Sequence, residues 1–128
     1  MFNRKALLRI CIPLAVTLML PAHAFCADWL QVESTLPGET DYLDRSSIRA
    51  EKDMITFWAR NIDRKGETTE TRYTINCRNG TGAIKDIVLH GADDTIINTY
   101  SYKKGKAPWG KITARSSLRP FQKLLCKP

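Results

Sequence analysis

Few residues in this chain are equipped for chemistry. Catalysis needs a base, a nucleophile or a metal, and beyond the first 24 residues there is a single histidine, His90. His90 with Asp93 and Asp94 can be drawn as a metal site, but the spacing matches no standard ligand pattern, and a turn after a strand accounts for these residues more simply. Ser46, Ser47, Ser116 and Ser117 lie in no Gly-x-Ser-x-Gly elbow and suit turns and helix caps. No phosphate-cradling glycine loop occurs. Cys77 beside His90 would make a nucleophile only if its thiol were free. These residues call for no enzyme, no metal and no cofactor. Binding has better material: Lys103, Lys104, Lys106, Lys111 and Arg115 are interleaved with Tyr100, Tyr102 and Trp109. Cations among aromatic rings suit acidic polymers or acidic protein surfaces. The plainer reading is that the lysines solvate a loop and guard a strand edge while the aromatics pack inward. Trp58 beside Arg60 is a second, smaller candidate, which a docked helix would cover.

The leading residues say where such binding would happen. Arg4, Lys5 and Arg9 precede an apolar run over residues 10–20, and Pro21 with Ala22-His23-Ala24 makes a small-residue cleavage site. This is the order of a secretory signal, residues 1–24, ahead of a single domain over residues 25–128. About 20 apolar residues are needed to cross a bilayer as a helix, so neither this run nor any later one makes a transmembrane segment. The whole chain carries a formal +7, but removing three of its 20 basic residues leaves 17 against 13 acidic ones, a mild +4. An exported domain so weakly basic is not a nucleic-acid binder.

Four cysteines are present, and Cys11 leaves with the signal. In an oxidising compartment, with no metal-ligand spacing, Cys77 and Cys126 read as a disulfide. Closing a loop of that length stabilises by roughly 4 kcal/mol on the chain-entropy model. Cys26 depends on the cleavage point: a cut after Ala24 keeps it as a free, lipidated or intermolecular thiol, and a cut after Cys26 removes it. Bulky Phe25 directly before Cys26, and polar His23 three places before, argue against a lipid anchor there.

These residues need strands to hold them. Leu30 and Val32 alternate with Trp29, Gln31 and Glu33, predicting a first strand that Pro37-Gly38 ends. A short extended piece follows at residues 42–44. Residues 54–60 place Ile55, Phe57 and Ala59 on one face and Thr56, Trp58 and Arg60 on the other. Residues 69–77 alternate too, with Glu70, Arg72, Thr74 and Asn76 on a wet face. Asn79-Gly80 predicts a type I′ hairpin into a strand over residues 83–90, and Gly91 to Asp94 turn the chain into another over residues 95–102. Connections this short cannot hold crossover helices, so the sheet is an antiparallel meander of about five or six strands. Only the tail is helical: Ser116 or Ser117 can cap, Pro120 fits the first turn, and Leu118, Phe121 and Leu125 recur at helical spacing. Two or three turns are marginal alone, so the fold is α+β, its helix docked on one face of the sheet and tethered by Cys126.

The order of landmarks resembles the surface-adhesin E family of small exported bacterial proteins. It is carried by Trp29, Tyr42-Leu43-Asp44, Ser46-Ser47-Ile48, Phe57-Trp58, Tyr73-Thr74-Ile75-Asn76-Cys77, Tyr100, Trp109, Ser116-Ser117 and Cys126. The resemblance implies the same sheet, with a C-terminal helix tethered by a disulfide. It also implies adhesion, that is, binding of host extracellular-matrix or serum proteins at the surface of a Gram-negative bacterium. Adhesins of this type are lipoproteins, and the residues before Cys26 depart from that pattern. The matched positions are architectural, so they carry no binding specificity with them. The alternative function is a periplasmic structural or inhibitor module that docks on another bacterial protein, through an exposed sheet edge or as a homodimer.

Overall fold

The alternating segments become strands in a computed structural model that describes residues 26–127. The elements are β1 (Trp29–Val32), β2 (Thr40–Asp44), β3 (Arg49–Glu51), β4 (Met54–Ile62), β5 (Thr68–Asn76), β6 (Thr81–His90), β7 (Ile96–Ser101), β8 (Trp109–Lys111) and α1 (Arg119–Leu125). The leader assigned to residues 1–24 lies outside the described residues, and none of the described cysteines is free. Among the described residues no helix is long and apolar enough to cross a membrane.

All pairings are antiparallel, and the sheet runs β1-β2-β4-β5-β6-β7, with β3 also on β4 and β8 also on β6. The sheet therefore has eight strands and not five or six. The two extra strands have a common origin: each continues a row that the chain interrupts. β2 pairs with Ala59 to Ile62 of β4, and β3 then pairs with Met54 to Thr56 of the same strand. β7 and β8 divide the outer side of β6 in the same way. Strands of three residues show no alternation to detect. The β3–β4 turn, moreover, is Lys52-Asp53 with Lys52 at φ 56°, a left-handed position that lysine does not announce.

The first interruption is built by side chains. Asp44 Oδ1 accepts the Ser46 N–H at 3.0 Å and caps a 3₁₀ turn over Arg45–Ser47. Ser47 Oγ donates to the Asp44 carbonyl at 2.7 Å and accepts the Trp58 N–H at 2.8 Å. The donor that β4 loses in the gap between β2 and β3 is thus satisfied by a hydroxyl.

The core lies between one sheet face and α1. Phe57, Ile75, Leu43 and Ala59 are buried with Leu118 and Phe121. The Phe57 and Phe121 ring centroids are 5.2 Å apart, and Tyr73 completes the cluster. A Cβ at Gly82 would come within 2.5 Å of Leu118 Cδ1, so the bare glycine lets the segment leading into α1 sit down on β6. Seven residues are too few for a stable isolated helix. Burial of two large side chains, at about 1.5–3 kcal/mol each, and the Cys77–Cys126 disulfide fix it.

Three local expectations are corrected. The β5–β6 hairpin exists, but its loop is the four residues between Asn76 and Thr81, and only Gly80 has positive φ, at 68°, so it is not a type I′ turn. Cys77, tied to Cys126 and by its N–H to the Asp53 carbonyl at 2.8 Å, ends the ladder early. The helix starts beyond both serines: Ser116 Oγ accepts the Leu118 N–H at 3.2 Å in the turn before it, and α1 has no side-chain cap. Thr74, expected on a wet face, is only 2 % exposed and shares a hydroxyl contact of 3.0 Å with Thr56.

Candidate functional site

The lysine- and aromatic-rich segment occupies the gap between β7 and β8. Tyr102 donates its N–H to the Lys85 carbonyl at 2.9 Å, which holds the segment to β6 beyond the end of β7. The chain then makes a tight turn, closed by the Lys106 N–H on the Lys103 carbonyl at 2.9 Å, with Gly105 at φ 78°. Positive φ at the third position is what a type II turn requires, and glycine meets it without strain. Three lysines, Lys103, Lys104 and Lys106, thereby stand exposed on one turn. β8 returns alongside β6, setting Trp109 opposite Ala83 and Lys111 opposite Thr81.

The aromatics of this segment do not pack inward, contrary to the plainer expectation. Tyr100, Tyr102 and Trp109 are 52 %, 48 % and 47 % exposed. Tyr102, Pro108 and Lys111 border an open cleft of about 300 Å³, whose far wall is Ser116, Ser117 and Leu118 ahead of α1. Rings and ammonium groups together offer stacking area and charge to a ligand surface.

Arg115 does not line that cleft. It borders a separate depression with Arg119 and Lys123 of α1, opposite Glu33 and the loop after β1. Arg119 and Lys123 were not singled out in the sequence, although their i, i+4 spacing after Arg115 is a legible signal for a cationic helix face.

The Trp58 and Arg60 candidate lies on the face away from α1, so the helix does not cover it. Cross-strand partners share a face, and this one carries Trp58, Arg72 and Asp86 in one row and Arg60 and Glu70 in the next. Its charges are largely spent on one another. The Arg60 guanidinium sits 4.2 Å from the centre of the Trp29 ring and donates to Glu70 Oε1 at 2.9 Å. Arg72 donates to Asp86. Burial alone would raise the Asp86 carboxyl, but hydrogen bonds from Ser101 and Arg72 outweigh it and hold the group below its ordinary value. His90 Nε2 lies 3.3 Å from the same Glu70 oxygen without hydrogen-bonding alignment, and His90 Nδ1 is 3.5 Å from the Asp94 carbonyl. Cys77 is in the disulfide, so it offers no nucleophile.

The class defined by these features is a small antiparallel β domain with one helix stapled to its sheet. Compared with protein families and with curated proteins, the chain matches none.

Proposed function

We propose that this chain is an exported, non-enzymatic binding domain of the surface-adhesin E kind, engaging an acidic protein surface or polyanion, with host matrix or serum proteins as the class of partner. One observation carries the reading: Tyr100, Tyr102 and Trp109 are exposed beside Lys103, Lys104, Lys106 and Lys111 on a single stretch held by β6. A solvating lysine loop has no need of three uncovered aromatic rings, whereas a binding surface uses them as anchors. The Cys77–Cys126 disulfide supports an oxidising compartment.

Binding to immobilised heparin and to matrix proteins tests it. Replacing Lys103, Lys104, Lys106 and Lys111 with alanine together should weaken binding by about tenfold or more and flatten its salt dependence, since each exposed charge contributes modestly and is screened. Unchanged binding removes this segment from the reading. The second reading, a periplasmic structural or inhibitor module, is favoured by the uncovered edge of β7. Recovery of the protein only from the soluble periplasm, with a bacterial partner, would displace the adhesin reading in its favour.

A further inference from the structure

β7 is exposed along its whole length and pairs on one side only, with β6. Ile96 and Ile97 are 64 % and 62 % exposed, more than any other large apolar side chain described. From Thr95 to Tyr102 the segment holds no charge, no proline and no glycine. A bare edge of this composition is a template for another strand. The opposite edge of the sheet, β1, has four residues against six and shares a depression with Pro120, Lys123 and Leu124 of the helical tail.

The charges flanking β7 select the partner. Asp93 and Asp94 lie just before it and Lys103 and Lys104 just after it. A second copy laid antiparallel brings the acidic end of each strand to the basic end of the other. A parallel or in-register copy would set aspartate on aspartate and lysine on lysine, which costs several kcal/mol at an interface. The backbone agrees. The Tyr102 N–H points to β6, so by alternation along the regular part of the ladder those of Tyr100 and Asn98 do as well, while Thr99 and Ser101 present theirs to the free edge; beyond Asn98 the register shifts, and Ile96 pairs with His90. A two-fold axis at Thr99 sets the Thr99 of one copy against that of the other and brings the turn carrying Asp93 and Asp94 beside the turn carrying Lys103 and Lys104 of the second copy. In the single chain the Thr99 N–H is held by Asn98 Oδ1 at 2.8 Å, a local bond that the second strand replaces.

We infer that two copies of this chain associate edge to edge through antiparallel β7 strands, forming a closed two-fold dimer whose register is set by Asp93 and Asp94 against Lys103 and Lys104. Isologous pairing consumes the free β7 edge of both copies, so the assembly stops at two. This goes beyond the ligand-binding reading. It leaves Lys106, Lys111 and Trp109 outside the paired strand.

Sedimentation equilibrium of the disulfide-bonded chain over about a hundredfold range of concentration should show mass rising from one copy to two. Thr99→Pro removes an N–H that β6 does not use, so the domain should fold while association weakens by about tenfold or more. Asp94→Asn keeps a residue tolerant of positive φ, here 67°, and should weaken association about as much as Lys104→Ala does, with the double variant no worse than either single one. A chain that stays single throughout, or a Thr99→Pro variant that dimerises like the parent, overturns the proposal. Should Thr99→Pro fail to fold, the charge pair decides alone, and additive losses there overturn it. Heparin retention by a monomeric Thr99→Pro variant keeps the two readings separate, since loss of the dimer then leaves ligand binding intact.

Discussion

At the scale of single residues, this protein uses its charges mainly to tie strands together. Asp86 shows the balance: partial burial works against its carboxylate, and donors from Ser101 and Arg72 overcome that. Its folded-state pKa is lowered from the ordinary 3.8, so the stabilisation is present above that pH and is lost as pH falls through the lower folded value. Asp86→Asn should therefore cost about 1 kcal/mol at neutral pH and make the acid limb shallower below about pH 3.8, as read from urea unfolding across pH. A variant as acid-sensitive as the parent would show that the pair contributes nothing. His90 illustrates a limit of spacing. Asp93 and Asp94 suggested a cluster, but Asp93 turns back on Thr95, whose N–H and hydroxyl it accepts at 3.2 and 2.6 Å, and the His90 ring lies between Asp94, with Oδ1 3.8 Å from Nδ1, and Glu70 across the sheet, with Oε1 3.3 Å from Nε2. Pairing partners on another strand do not show in a one-dimensional pattern.

At the scale of elements, the sheet depends on how it handles its interruptions. Ser47 fills the gap between β2 and β3 by accepting the Trp58 N–H, so Ser47→Ala should leave that donor unmet and cost about 1–3 kcal/mol in denaturant unfolding. A loss indistinguishable from zero would mean that water enters and serves the N–H instead. The tail helix depends on its staple. Cys126→Ser should cost about 2–5 kcal/mol, and hydrogen exchange in Arg119–Leu125 should rise more than in β4 and β5. Uniform loss of protection would show the helix and sheet to be one cooperative unit. Six of the eight strands and the helix were legible, because each is long enough to display a period or is fenced by turn residues. The two that were not, β3 and β8, have three residues each. They exist because β4 and β6 extend past β2 and β7 and offer them a ladder.

At the scale of the molecule, one sheet face is closed by α1 and the other by its own long side chains, which leaves the edge at β7 and the lysine turn beyond it as the open surface. Both proposals rest on that end of the sheet. The basic segment was legible as composition, but whether its rings were covered was not, because alternation says which residues share a face and not what lies over that face: Tyr100 and Trp109 stand on paired strands, Tyr102 lies beyond β7, and all three are exposed. Arg115 shows the same limit: four residues from Lys111, it borders a different depression, because the chain turns towards α1 between them. What the sequence determined by itself is local or pairwise: the alternation of β4 and β5, the turns at Gly80 and Gly91, the helical spacing of Leu118, Phe121 and Leu125, and the Cys77–Cys126 bond. What the tertiary structure alone decided is relational: the two broken rows, the far face where Trp58 and Arg60 lie, and the uncovered β7 edge. Such features follow from which strand runs past the end of another, and that is set by the length of the neighbour, not by the residues of the segment concerned.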